Sequence, residues 1–218
     1  MTRPQGDPVA RDRDPYVLAL AVLFAFWWVA LAISPRYRHD WALENVLTIA
    51  CVVVLALFRN RLPLSPISYT ALFVFLSLHS LGAHYTYSEV PYDAWAQTLT
   101  GRSISDVFGL QRNYYDRFVH FSYGVLLVYP IRDILIAKAG VRGIWSYYLA
   151  IAIVSSTSLD YEVIEWGAAS VFGGDLGVAY LGTQGDVWDA QKDMALAVLG
   201  AILSMSLLAM RNVWRRNA

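Results

Sequence analysis

The chain has 218 residues, 57% of them hydrophobic and 16% charged, with a mean hydropathy of +0.41. This is too apolar for an ordinary soluble domain and too interrupted by polar stretches for one buried core, so composition predicts a one-domain polytopic membrane protein. A formal charge of zero, a pI near 6.9 and the lack of a basic cluster or glycine-rich phosphate loop argue against a nucleic-acid partner.

Residues 1–15, MTRPQGDPVARDRDP, mix arginine, aspartate and proline and read as a disordered cytosolic lead. The apolar run that follows ends in SPRYRHD without a small-residue cleavage pattern, so it is expected to stay attached as a first span. A spanning helix needs about 20 mostly apolar residues. Six stretches approach that length, at 16–34, 42–58, 67–84, 116–136, 145–168 and 193–210. The sole cysteine, Cys51, lies in one of them and reads as a small apolar filler, which leaves no intrachain disulfide and no CxxC metal site.

Residues 16–210 thus form the membrane domain, with long outer loops at 85–115 and 169–192 and a basic cytosolic tail at 211–218. Lysine and arginine set the orientation: eleven fall on the side of the termini and six on the other, which places both termini in the cytosol. Loop 85–115 carries clustered aromatic rings at both ends, as expected of a lid lying at headgroup level. In the other loop Gly173, Gly174, Gly177, Gly182 and Gly185 predict a turning or re-entrant segment.

That orientation brings four groups of ionisable residues to one outer level. Span three ends with His79 and His84, and span four begins with Asp116, Arg117 and His120. Span five ends with Asp160, Glu162 and Glu165; span six opens with Asp186, Asp189 and Asp193. Carboxylates inside a membrane need partners or a watery cavity, because each costs roughly 2.5 to 3.5 kcal/mol near mid-bilayer. Helical spacing predicts one interior stripe of Ser155, Ser158, Glu162 and Glu165, with Asp160 pointing elsewhere. Asp116 and His120, four apart, reach one point as a ligand pair or as a carboxylate orienting an imidazole.

Imidazoles among carboxylates match the ligand set of zinc, manganese, iron or magnesium. The expected metal ligands are His84, Asp116, His120, Asp186 and Asp189; Glu162, Glu165 and Asp193 are the expected catalytic acids and bases. Arg117, Lys192 and Tyr85 are expected to bind substrate. No GxSxG elbow or HExxH helix is present, so soluble hydrolase layouts gain no support. The leading reading is a metal-assisted hydrolase or transferase acting on a lipid-linked or amphiphilic envelope substrate at the periplasmic face, with membrane lipids as partners. The alternatives are a metal-free salt-bridge network, a proton- or ion-coupled carrier, and a non-catalytic assembly or signalling subunit. A carrier predicts polar residues continuing toward the cytosolic side, where strong candidates are few. No feature of the chain speaks to its oligomeric state.

The strings DRFVHF (116–121), DYEVIEW (160–166), LGTQGDVWDAQKDM (181–194) and HYTYSEVP (84–91) closely resemble the YjdF-like family of bacterial inner-membrane proteins. That resemblance implies a six-span inner-membrane protein and brings no established activity with it. A fainter likeness is to VanZ-like membrane proteins, which share an acid-bearing helix followed by a GD-x-x-D start to a closing helix. This chain departs from them in its glycine-rich insertion and in the histidines of spans three and four. The expected architecture is all-α: a six-helix transmembrane bundle with a polar cavity at the extracytoplasmic end.

Overall fold

The structure, a computed structural model, describes residues 13–172 and 182–217. The lead up to residue 12, Gly173, Gly174 and Gly177 lie outside the described residues. Everything described is helix or connecting turn. In chain order the helices are α1 (Arg13–Ala32), α2 (Arg38–Phe58), α3 (Pro66–His84), α4 (Tyr92–Thr100), α5 (Ile104–Phe108), α6 (Tyr115–Lys138), α7 (Ile144–Phe172) and α8 (Asp189–Asn217).

Among the described residues, five helices are long and apolar enough to cross a membrane: Pro15–Ala32, Arg38–Phe58, Pro66–His84, Tyr115–Lys138 and Asp189–Arg215. α7 has the length, at 29 residues, but Tyr147, Tyr148 and the run Ser155, Ser156, Thr157, Ser158 dilute its hydropathy. The outward surfaces are what lipid requires. Leu18, Val22, Leu23, Phe26 and Val29 of α1, with Val46, Ile49, Val53 and Leu57 of α2, stand exposed as continuous apolar faces.

Side-chain contacts fix the helix directions. Tyr16 bonds Thr70 at 2.6 Å and the Trp27 indole donates to the Ser77 carbonyl at 3.1 Å, so α1 and α3 run parallel. α6 runs against α3, since Ser68 at the start of α3 meets Asp133 near the end of α6. α7 runs against α6, through Tyr123 with Thr157 at 2.5 Å and Arg132 over the Tyr147 ring at 4.2 Å. α8 is parallel to α6. At its far end it returns to α7, where Asn212 donates to the Tyr147 hydroxyl at 2.9 Å.

The closest approach is the α6–α8 seam, built on glycine. A Cβ on Gly124 would stand 1.8 Å from the Ala197 carbonyl oxygen, and one on Gly200 would stand 2.3 Å from that of Phe121. Small residues that admit backbone to backbone are how helices pack in lipid, where burying apolar surface gains nothing. Ser204 then donates to the Val125 carbonyl at 3.0 Å and pins the register. Val128, Ala150, Val154, Ala197, Ala201 and Met205 fill the space among α6, α7 and α8. With the register fixed, the start of α8 can only lie beside the start of α6.

One acid stands near the C-terminal end of α6. Asp133 accepts from the Ser65 N–H at 2.8 Å and the Ser68 hydroxyl at 2.6 Å, so it caps the start of α3 where Pro66 begins the helix.

Candidate functional site

At the other end, two layers of charge lie one above the other. The upper layer is fully ion-paired. Arg112 holds Asp189 at 2.5 Å and donates to the carbonyls of Thr183 (2.8 Å) and Gly182 (3.2 Å). Arg117 binds Asp186 and reaches Asp189 at 3.1 Å; Lys192 reaches Asp186 at 2.6 Å. Asp186, in the turn ahead of α8, also accepts the Trp188 N–H. The Lys192 ammonium, that N–H and the Arg117 guanidinium hold its carboxyl well below the usual carboxylate range. The loops are stitched across the top: the Asn113 N–H donates to the Gln184 amide oxygen at 3.0 Å, and the Gln184 amide returns a bond to the Asn113 carbonyl at 3.1 Å.

The lower layer has acids without cations. Its centre is His120, whose Nε2 lies 3.5 Å from Asp116 Oδ1 and 3.8 Å from Glu162 Oε1. Asp193 completes the group, for one ligand atom each from Asp116, His120 and Asp193 lie within 4.8 Å of one another. Asp193 is 2% exposed and Glu162 has 10% of its side chain exposed, yet Asp193 Oδ1 and Glu162 Oε1 have no hydrogen-bond partner. Buried polar groups are almost always satisfied, so two unpartnered carboxylate oxygens on acids grouped with one imidazole set this layer apart from the one above it. The Tyr161 ring stands edge-on to His120, at 5.8 Å between centroids, and its hydroxyl reaches Glu44 at 3.2 Å.

Of the expected metal ligands, Asp116 and His120 meet. His84 does not join them: its Nδ1 faces the Leu31 carbonyl at 2.8 Å and its ring packs on Tyr85. The oxygens of Asp186 and Asp189 are held by arginine and lysine, so both belong to the upper layer. Asp193, expected as a catalytic base, stands instead with Asp116 and His120. Arg117 and Lys192 line a common groove, but Tyr85 lies away from it, against Trp95. On α7, Ser158 is buried beside Glu162 and Glu165 as expected, whereas Ser155 is exposed and falls off the stripe.

His79 is a packing residue. Its Nε2–H donates to the Glu44 carbonyl at 3.1 Å, and its Nδ1 accepts from the Tyr87 hydroxyl. Burial pushes the Tyr87 hydroxyl well above its ordinary value, which keeps it a donor.

Two elements at this end stand outside the expected site residues, although Glu44 already reads from the sequence as a cap of span two or a cavity-facing residue. Arg112 was counted only as an outer charge, although it stands five residues before Arg117 in RNYYDR. Asp40, Glu44 and Thr48, at steps of four on α2, are all buried, with Asp40 Oδ1 and Thr48 Oγ1 unpartnered. The signal was there: a regular polar stripe inside an apolar span points to the bundle interior.

Residues 16–213 match the family model described as "Predicted membrane protein (DUF2238)". The chain belongs to this DUF2238 family. Among curated proteins, Inner membrane protein YjdF of Escherichia coli (strain K12) is 35% identical over 203 residues, covering 92% of this chain and 93% of that protein. No solved structure gives a significant match. The DUF2238 match takes in both layers of charge, and the relative supports a multi-pass inner-membrane protein.

Proposed function

We propose that the Asp116–His120–Asp193 group is a divalent-cation centre and that this DUF2238 protein is a metal-assisted hydrolase or transferase of amphiphilic envelope substrates. In this reading all six long helices cross the inner membrane with both termini in the cytosol, and the charged end forms a polar cavity at the periplasmic face. The alternating directions of the long helices and the lysine and arginine asymmetry support that placement.

The observation that carries the centre is the pair of orphaned carboxylate oxygens around an imidazole. Two ligands about 2.1 Å from a tetrahedral ion stand roughly 3.4 Å apart. The 3.5 Å between His120 Nε2 and Asp116 Oδ1 is too long for a good hydrogen bond and close to that edge. Zinc, manganese, iron or magnesium bound there would polarise a scissile ester or phosphoester and acidify a water. Asp116, His120 and Asp193 hold the ion, and Glu162 takes the proton. The water oxygen bonds to the scissile carbon or phosphorus while the bond to the leaving oxygen breaks, and Glu162 passes its proton to that oxygen. Arg117 and Lys192 hold an anionic headgroup beside the centre. In the clasped pair α4–α5 Asp93 accepts from the Ser105 N–H at 2.8 Å, and Trp95 of that pair packs against Tyr85.

The test is release of water-soluble product from radiolabelled bacterial phospholipids by the purified protein in vesicles. Product is expected with manganese or zinc and lost with a chelator. Glu162→Gln should lower kcat by a factor of 100 or more while leaving the ion bound, within the range of about 10²–10⁴ for general acid–base catalysis. Turnover that is indifferent to chelator and to Glu162→Gln would overturn the reading.

A further inference from the structure

Along the outside of the α6–α8 seam runs an open groove of about 590 Å³. Its upper rim carries Arg117 and Lys192; below them lie Phe118, Phe121, Leu196 and Leu199. From Lys192 to Leu199 is seven residues, about 10 Å of helix. The groove is therefore cationic at headgroup depth and apolar for the two turns beneath, facing the bilayer sideways.

Within the upper layer Arg112, Arg117 and Lys192 share two carboxylates, Asp186 and Asp189. Lys192 is the exposed member, with 48% of its side chain accessible. It can leave Asp186, which keeps Arg117 and the Trp188 N–H. On both helices the groove residue is the chain neighbour of a residue of the lower layer: Arg117 follows Asp116, and Lys192 precedes Asp193. Whatever anion sits on the rim sits next to the centre.

We propose that an anionic diacyl phospholipid occupies this groove, its phosphate on Arg117 and Lys192 and one acyl chain along Phe118, Phe121, Leu196 and Leu199. This rests on the reading of those two cations as headgroup-holding groups, and it makes the substrate a bilayer lipid that enters sideways between α6 and α8. A phosphodiester gives the exposed Lys192 ammonium an acceptor on the groove side, and an acyl chain fills an apolar trough that a soluble anion would leave empty.

Native mass spectrometry of the full-length protein, released from nanodiscs containing equal phosphatidylglycerol and phosphatidylcholine, tests this directly. One phosphatidylglycerol should be retained per chain, in preference to phosphatidylcholine. Lys192→Gln should weaken retention about fivefold, as expected for losing one phosphate-facing lysine. Leu196→Trp, which fills the trough, should abolish it, and millimolar inorganic phosphate should not displace the lipid. Equal retention of the two lipids, or wild-type retention in Lys192→Gln, overturns the groove; displacement by inorganic phosphate overturns the diacyl assignment. Asp193→Asn separates this from the metal reading. It should keep phosphatidylglycerol while losing the ion; in the wild type, lipid retained without the ion sinks only the centre, and ion retained without the lipid sinks only the groove.

Discussion

The two layers at the charged end are made of the same residue types and lie within a few ångströms of each other, yet only one explains itself. In the upper layer each carboxylate meets a guanidinium or an ammonium, and the result ties the 182–188 turn, the start of α6 and the start of α8 together. The lower layer repeats the acids and omits the cations. His120 faces Asp116, Glu162 and Asp193 at distances too long for direct bonds, and two carboxylate oxygens have nothing to bind. A buried carboxylate without a partner is costly unless a cation or a proton neutralises it. The contrast separates the two layers more sharply than residue type does.

The largest effect that would break this comparison is at the seam that holds both layers. Gly124→Leu should abolish the folded protein, because even a Cβ there meets the Ala197 carbonyl oxygen at 1.8 Å; loss of the monodisperse species on size-exclusion chromatography in detergent measures it. Next comes the direct contrast between the layers. Asp189→Asn leaves two buried guanidinium groups short of an acceptor and should cost about 3 kcal/mol, while Asp193→Asn, made and assayed without divalent ions, should not lower the thermal midpoint at all. If the two changes proved equally destabilising, the lower layer would be a structural network like the upper.

The smallest effect is a pH dependence confined to the upper layer. Asp186 has its folded value depressed by Lys192, Trp188 and Arg117. Its contribution is therefore complete above the unfolded carboxylate value of about 4 and is lost as pH falls below that toward the folded value. The difference in thermal midpoint between wild type and Asp186→Asn should be constant from pH 7 down to about pH 4 and shrink below it.

Much of the fold was legible because membrane spans declare themselves by length and hydropathy. The expected 67–84 and 116–136 became α3 at Pro66–His84 and α6 at Tyr115–Lys138. The depth of the site was legible too, since acids and histidines at the ends of successive spans have to share a level once the spans alternate. Which residues touch was not. Asp189 and Asp193 lie on one helical face and cannot be ranked by spacing, but the Gly124–Ala197 contact sets α8 so that the first falls to Arg112 and the second to His120. His84 lost its expected place because the helix end turns it toward Leu31, a contact 53 residues away that no local pattern encodes. Ser155 fell off its stripe because α7 packs on the face of Val154 and Ser158, and a helix-spacing argument tolerates one position of rotation either way.

The central claim is that the lower layer is completed by a divalent cation, and equilibrium titration of metal-stripped protein with manganese and zinc tests it most directly. The account predicts one ion per chain, bound by wild type and by Lys192→Gln and lost in Asp193→Asn and His120→Ala. Saturable binding absent from the wild type, or undiminished in both Asp193→Asn and His120→Ala, would contradict it.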